Sequence, residues 1–252
     1  MNSNQSHQVI ALDGPAGSGK STVARLLAER LDAVHADSGA MYRTLTLALM
    51  LKCGQVRSVD AVHAVQGSPA EFAEWLSAHD MVTDVERLAE LRCDAVLVDD
   101  RQVNRIDGVD TGNAIRTPEV TARIRFIADA QACREMVNRM LRDFATRTDL
   151  VVDGRDIGTV VFPDTPSKFY LDASVTERAR RRLLEWRNQH PDRADELKQE
   201  HIEQDIARRD EEDRKRPVGA LIQAPDAILI DTSSLDINAV THRILAHLQI
   251  QF

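Results

Sequence analysis

Residues 14–21 read Gly14-Pro15-Ala16-Gly17-Ser18-Gly19-Lys20-Ser21, behind the apolar run QVIALD (8–13) and ahead of STVARLLAERL (21–31). The eight residues fit G-x-x-x-x-G-K-[ST], a loop that cradles nucleotide phosphates. Its glycines let backbone N–H groups curl around phosphate oxygens, and the helix behind it points its positive end at them. Lys20 should reach the β and γ phosphates, and the Ser21 hydroxyl should ligate Mg²⁺. As a loop residue, Lys20 is expected to bury little. Val23, Leu26, Leu27 and Leu31 recur at helical spacing, so the chain opens strand, glycine turn, helix.

Outward from this start, AVHAD (33–37) reads as a second strand, with Asp37 or Ser38 able to cap a helix beginning near Ala40. This βαβα opening predicts a parallel sheet with helices on both faces. Residues 54–80 read as short helical pieces broken by Gly67 and Pro69. AVLVDDRQVNRI reads as a hairpin turning at Asp99-Asp100, so about 60–115 is an insertion with its own small sheet. Thr117-Pro118-Glu119 starts a helix expected to run unbroken to about residue 146. LVVD (150–153), KFYLD (168–172) and AILID (227–231) read as further buried strands. Residues 178–216 hold twelve cations and eleven anions and read as a solvated helix pair ended by Pro217. Ile237 to Leu248 is a terminal amphipathic helix.

Composition narrows the function. The 252 residues carry 32 Lys plus Arg against 40 Asp plus Glu, a net charge of −8, which disfavours a nucleic-acid or anionic-membrane binder. Aromatics are only 4%, too few for base-stacking platforms. Lys20, Lys52, Lys168, Lys198 and Lys215 are the only lysines. The arginine excess suits planar phosphate recognition or reflects genome composition. Cys53, Cys93 and Cys133 form no C-x-x-C pair and read as ordinary reduced thiols. The start MNSNQSHQ lacks a basic-then-apolar signal, and no apolar run approaches a membrane span. A cytoplasmic protein is expected.

A phosphate loop implies an NTP but not its use. A guanine-reading switch would need N-K-x-D, which is absent. LVVD, ending at Asp153, could be the second metal-site strand of an ATP-dependent switch. The residues that follow favour a kinase. Asp153-Gly154-Arg155-Asp156-Ile157-Gly158 puts an arginine and an aspartate at the carboxyl end of a parallel strand, where open α/β sheets bind ligands. Arg155 can hold a phosphate and Asp156 can accept from an exocyclic amine. The competing reading of the two is a local salt bridge.

DGRDIGTVVFPD (153–164) resembles the signature of bacterial cytidylate (CMP/dCMP) kinases. IALDGPAGSGKST, DSGAMYR, IRTPEV, LDASVTERARRR and RRDEEDRKRPVGAL extend the likeness in the same order over nearly the whole chain. The resemblance implies an α/β P-loop nucleoside-monophosphate kinase fold, with a five-stranded parallel core sheet, a monophosphate-binding insertion and a helical lid. It implies core segments 8–53, 118–177 and 217–252, an insertion at about 54–117 and a lid at about 178–216. It also implies ATP with Mg²⁺, small-molecule substrates CMP and dCMP, no nucleic-acid or membrane partner, and a monomer. A broader pyrimidine range including UMP is the near alternative.

The resemblance assigns roles by position. Gly14 to Thr22, with Arg178 and Arg182, would bind ATP. Ser38 would contact the cytosine side, and Arg43 the acceptor phosphate. Arg134 and Arg155 would lie around the pyrimidine and phosphate, and Asp156 would read the cytosine. Arg209 and Asp213 would hold the pentose and Arg216 a phosphate. Lys20, Arg155, Arg181 and Arg216 would stabilise the transferring group, with no general base. Arg125 departs from the family, which usually has a pentose-contacting serine at its position.

Overall fold

The computed structural model describes residues 7–189 and 197–249. The polar start before His7 and part of the charged stretch, residues 190–196, lie outside the described residues. In chain order the elements are β1 (Val9–Asp13), α1 (Lys20–Leu31), β2 (Val34–Asp37), α2 (Ser38–Lys52), α3 (Pro69–Ala78), α4 (Val85–Ala89), β3 (Cys93–Val98), β4 (Arg101–Ile106) and β5 (Val109–Asp110). They continue with α5 (Pro118–Ala128), α6 (Gln131–Ala145), β6 (Leu150–Asp153), β7 (Ser167–Asp172), α7 (Val175–Gln189), α8 (Gln199–Arg214), β8 (Ile228–Asp231) and α9 (Ile237–His247). Five strands form one sheet in the order β2-β6-β1-β7-β8. The described residues divide into two compact units, one of residues 8–33, 149–189 and 197–249, the other of residue 7 and residues 34–148.

In the first unit β1 lies between β6 and β7, both parallel to it, and β8 runs parallel beyond β7. Strands covered on both faces are apolar along their length, as VIALD and LVVD are up to their closing aspartates. Ile10, Leu12, Val151, Phe169 and Leu171 share a core with Val23, Leu27, Val240 and Ile244 of the flanking helices. Gly14 must be glycine. It sits at φ 142°, and a Cβ there would fall 2.0 Å from Leu171 O. The phosphate loop therefore leaves the sheet tight against β7, with the carboxyl ends of β1, β6 and β7 around it. Helices α7 and α8 pack through a small cluster of Ala179, Leu183, Ile202 and Ile206.

In the second unit α2 is buried along most of its length. Asp37 caps it by accepting from Ala40 N at 2.9 Å. Strands β3, β4 and β5 form an antiparallel sheet. Its first hairpin turns at Asp99 and Asp100, with φ 47° and 57°, the double left-handed conformation that two-residue hairpins favour.

Two expectations need correction. Pro69 does not break a helix; it begins α3, where Ser68 and Glu71 form a capping box. The helix from Pro118 is also not continuous. Ala130 is extended, at φ −90° and ψ 125°, and separates α5 from α6. Arg134 crosses the break and donates to Ala128 O at 3.0 Å, satisfying a carbonyl at the end of α5.

Candidate active site

The phosphate loop ends at Gly19, at φ 93°, which gives α1 no side-chain cap. The first N–H groups of that helix are thus available to an anion. Lys20 is not the little-buried loop residue expected; it opens α1 and is 5% exposed. Its ammonium donates to Pro15 O at 2.6 Å, and Ser18 Oγ lies 3.4 Å away. Burial, reinforced by the nearby charge of Arg155, pulls Lys20 down to about 7 although Asp153 and Asp13 oppose the fall. A buried lysine beside arginines makes a cationic pocket that an anion stabilises. Ser21 Oγ donates to Asp153 Oδ2 at 2.6 Å. Thr22 is exposed on the first turn.

Among the described residues no three His, Cys, Asp or Glu side chains are grouped to hold a metal ion. Mg²⁺ does not require such a cage, because it retains waters and takes substrate phosphates beside one or two carboxylates. The Ser21 hydroxyl against the Asp153 carboxylate is an all-oxygen donor pair that fits it.

The turn after β6 is held from both sides. Asp13, at the end of β1, accepts from Ile157 N at 2.8 Å and from Gly158 N at 2.7 Å. Burial pushes its carboxyl up to about 6, against those two hydrogen bonds. Asp156 is buried between Arg155 and this anchored pair. Arg155 Nε lies 3.1 Å from Asp213 Oδ2, and Arg216 Nη2 lies 2.7 Å from the same carboxylate's Oδ1. Asp213 therefore clamps two of the expected phosphate-binding arginines.

The α7 arginines differ sharply in surroundings. Arg178 is 2% exposed and pairs in bidentate fashion with Asp210, through Nη1 at 3.1 Å and Nη2 at 2.5 Å. It also donates to Ala173 O and, in the phosphate loop, to Ala16 O. Arg181 donates from Nε to Glu177 and from Nη1 to Thr232 Oγ1, whose own hydroxyl donates to Ser18 O. A Cβ on Gly19 would lie 3.9 Å from Arg181 Nη1, so this guanidinium stands at the loop's mouth. Arg182 is exposed. Arg209 pairs with Asp205 at 3.4 Å on α8.

Within the other unit, Ser38 is buried at the start of α2. Arg43 donates to Thr121 Oγ1 at 2.7 Å and to Ile115 O at 3.3 Å. Arg134 is buried, its guanidinium carbon 5.5 Å from the Tyr42 ring centroid. Arg116 holds Asp37 Oδ2 at 2.9 Å, and the Gln102 side chain bonds both the N–H and the C=O of Asp37. The residue before Ser38 is thereby fixed by two side chains through three hydrogen bonds.

The cytidylate kinase family model matches residues 10–250. The chain belongs to the cytidylate kinase family. A cytidylate kinase of Desulforamulus reducens is 37% identical over 239 residues, 95% of this chain and 96% of that protein. One from Bacillus cereus is 36% identical over 238 residues, 94% of each. Among solved structures, a shikimate kinase from Bacteroides thetaiotaomicron aligns over 96% of this chain and 99% of its own, at 15% identity and a TM-score of 0.41.

As a cytidylate kinase family member the chain is a nucleotide kinase, with a five-stranded parallel sheet and a phosphate loop. No described helix is long and apolar enough to cross a membrane. Burial pushes Cys93 and Cys133 up to about 12, so neither thiol is a nucleophile at neutral pH. Arg125, the residue that departs from the family, is exposed, with its guanidinium carbon 4.7 Å from the Phe126 ring centroid. The buried arginine of that helix is Arg123, which donates to Gln55 Oε1, Gly67 O and Glu119 O. Sequence reading missed Asp13 and Asp210, and it treated Asp153 only as the mark of a different enzyme class. A charged residue ending an otherwise apolar buried strand was the available signal for Asp13 and Asp153.

Proposed function

We propose that this protein transfers the terminal phosphoryl group of ATP to CMP and dCMP, giving ADP with CDP or dCDP. The observation that carries the reading is the pinned turn of Arg155 and Asp156 in the same unit as the Lys20 pocket and the Ser21–Asp153 pair. The first supplies an acceptor-side cation and a base-reading carboxylate; the second supplies a donor-phosphate cradle.

Each residue then has a task. The loop from Gly14 to Thr22 binds the ATP phosphates through backbone N–H groups, and Lys20 draws charge from the oxygens of the transferring group. Ser21 and Asp153 would hold Mg²⁺, which supplies charge neutralisation at the phosphates when bound. Arg155 and Arg216, positioned by Asp213, receive the acceptor phosphate, and Arg43 keeps the acceptor-phosphate role that the family resemblance implies. Arg181 meets ATP from α7. Ser38 and Arg134 take part on the cytosine side, and Arg209 with Asp213 on the pentose. No general base is needed, because the attacking phosphate oxygen is already ionised. The insertion at about 54–117 and the lid at about 178–216 would exclude water, since an open site hydrolyses ATP.

Asp156 gives the test of substrate. An ionised carboxylate only accepts hydrogen bonds, so it suits the exocyclic amine of cytosine and opposes the carbonyl of uracil. Discrimination of roughly 10²-fold in kcat/KM is expected between CMP and UMP, because a mismatched buried acceptor stays unpaired. An ADP-release assay over a panel of nucleoside monophosphates should show turnover with CMP and dCMP and negligible ATPase activity without an acceptor. Asp156→Ala should lose most of the preference. A variant that keeps all of it removes Asp156 as the base reader, and wild-type turnover independent of any acceptor sinks the kinase reading.

Arg125 yields a second expectation. An exposed arginine stacked on its neighbour contributes little to a site. Arg125→Ala should change KM for CMP and dCMP by less than about twofold, within the scatter of a neutral surface change. Asp213→Ala should raise both KM values well beyond that, since it frees two arginines as well as any pentose contact. Steady-state kinetics with both sugars decide it; a larger loss in Arg125→Ala would put the sugar contact on the wrong helix.

A further inference from the structure

We infer that Asp13 is a positioning residue for base recognition: its carboxylate fixes the main chain that presents Asp156. The inference rests on Asp156 reading the base and adds the residue that sets its place.

The anchoring is specific. Gly154 N donates to Leu12 O at 3.0 Å. Ile157 N and Gly158 N donate separately to the two carboxylate oxygens of Asp13, at 2.8 and 2.7 Å. Two consecutive β1 residues thus hold the chain just before and just after Arg155 and Asp156. On the far side the turn closes on itself, with Val160 N and Val161 N donating to Asp156 O and Phe162 N donating to Ile157 O. This wide single turn is of a type frequent at functional sites. Two N–H groups on one carboxylate hold it in place.

A merely structural need would be met more simply. Asp13 is 4% exposed, and burying a carboxylate is costly unless its hydrogen bonds are strong. Its charged neighbours include a like charge, Asp156, as well as Lys20, and Tyr170 of β7 feels its field. The space around the latch is also small. A Cβ added to Gly158 would lie 3.1 Å from Lys168 Cδ and 3.4 Å from Asp13 Oδ2, so a side chain at 158 would press on both. An error near an ångström at a recognition group is enough to cost large factors in binding or rate.

Asp13→Asn keeps the shape but turns one oxygen into an NH₂ group that faces an N–H donor, so one anchor is lost. The expected result is a rise of about tenfold in KM for CMP and a fall of about tenfold in the CMP-over-UMP preference, the size of one charge-assisted hydrogen bond. KM for ATP should stay within about twofold, an effect of neutral size. Gly158→Ala presses on the same latch from the other side and should move the same constants in the same direction. Equal rises in both KM values, an unchanged preference in the folded variants, or failure of both variants to fold would overturn the role. Wild type run in the same panel separates the two levels: no CMP preference there defeats the base-reading assignment itself, whereas a wild-type preference retained by both variants defeats only the role of Asp13.

Discussion

Lys20→Ala is expected to lower kcat by roughly 10²–10³-fold in a protein that remains folded, the loss typical of removing one preorganised donor at a transition state. The magnitude follows from where Lys20 sits. Its ammonium is buried beside Pro15 O and Ser18 Oγ, where a charge acts at low dielectric rather than through water. Phosphoryl transfer asks the protein mainly for positioning and charge neutralisation, so loss of a central cation goes directly into the barrier. The fold should tolerate the change. Pro15 O keeps the hydroxyl of Ser18 at 3.0 Å, and the alanine removes a buried charge that burial and Arg155 already destabilise. Thermal melts should show a Tm equal to wild type or higher. Near wild-type turnover by the folded variant, with CMP and ATP both saturating, would remove Lys20 from the transfer step.

The parts of this molecule that were legible from sequence are local. β1, the phosphate loop and α1 follow from a glycine pattern between an apolar run and a helical repeat. The Asp99-Asp100 hairpin follows from a two-residue turn between alternating strands. Pro69 reads as a break because a proline at the first helical position looks the same as one that ends a helix, unless Ser68 and Glu71 are read as a capping box. The break at Asp129-Ala130 carries no glycine or proline, and it is supported by a side chain from the next helix, Arg134. Helical phase could have separated Arg123 from Arg125, since Val120, Arg123 and Ile127 share one buried face. The site's supports were less accessible. Asp13 meets Ile157 across 144 positions and Ser21 meets Asp153 across 132. Such pairings arise when β6 docks beside β1, and the spacing of residues along the chain does not encode them.

Asp210→Ala is expected to destabilise the protein by about 3–5 kcal/mol, because it leaves Arg178 as an uncompensated buried cation. For a chain of this size that corresponds to a Tm lower by roughly 10 °C or more. Both partners are almost fully buried, with side chains 2% and 3% exposed, so solvent screening that weakens surface pairs does not apply. The consequence extends to function. Arg178 uses four of its five N–H groups on Asp210, Ala173 O and Ala16 O. It braces the phosphate loop against α7 and α8, and moving it onto an ATP phosphate would strand the Asp210 carboxylate at the same cost. The expectation that Arg178 contacts ATP therefore passes to Arg181, whose side chain is 27% exposed and stands beside Gly19. Arg178→Ala should lower Tm as Asp210→Ala does, whereas Arg181→Ala should leave Tm within about 2 °C, an effect below 1 kcal/mol, and raise KM for ATP about tenfold, the loss of one charge-assisted contact. Calorimetry with ATP titrations on the three variants separates brace from ligand. An unchanged Tm in Asp210→Ala, or a selective loss of ATP affinity in Arg178→Ala without loss of stability, would return Arg178 to the role of a phosphate ligand.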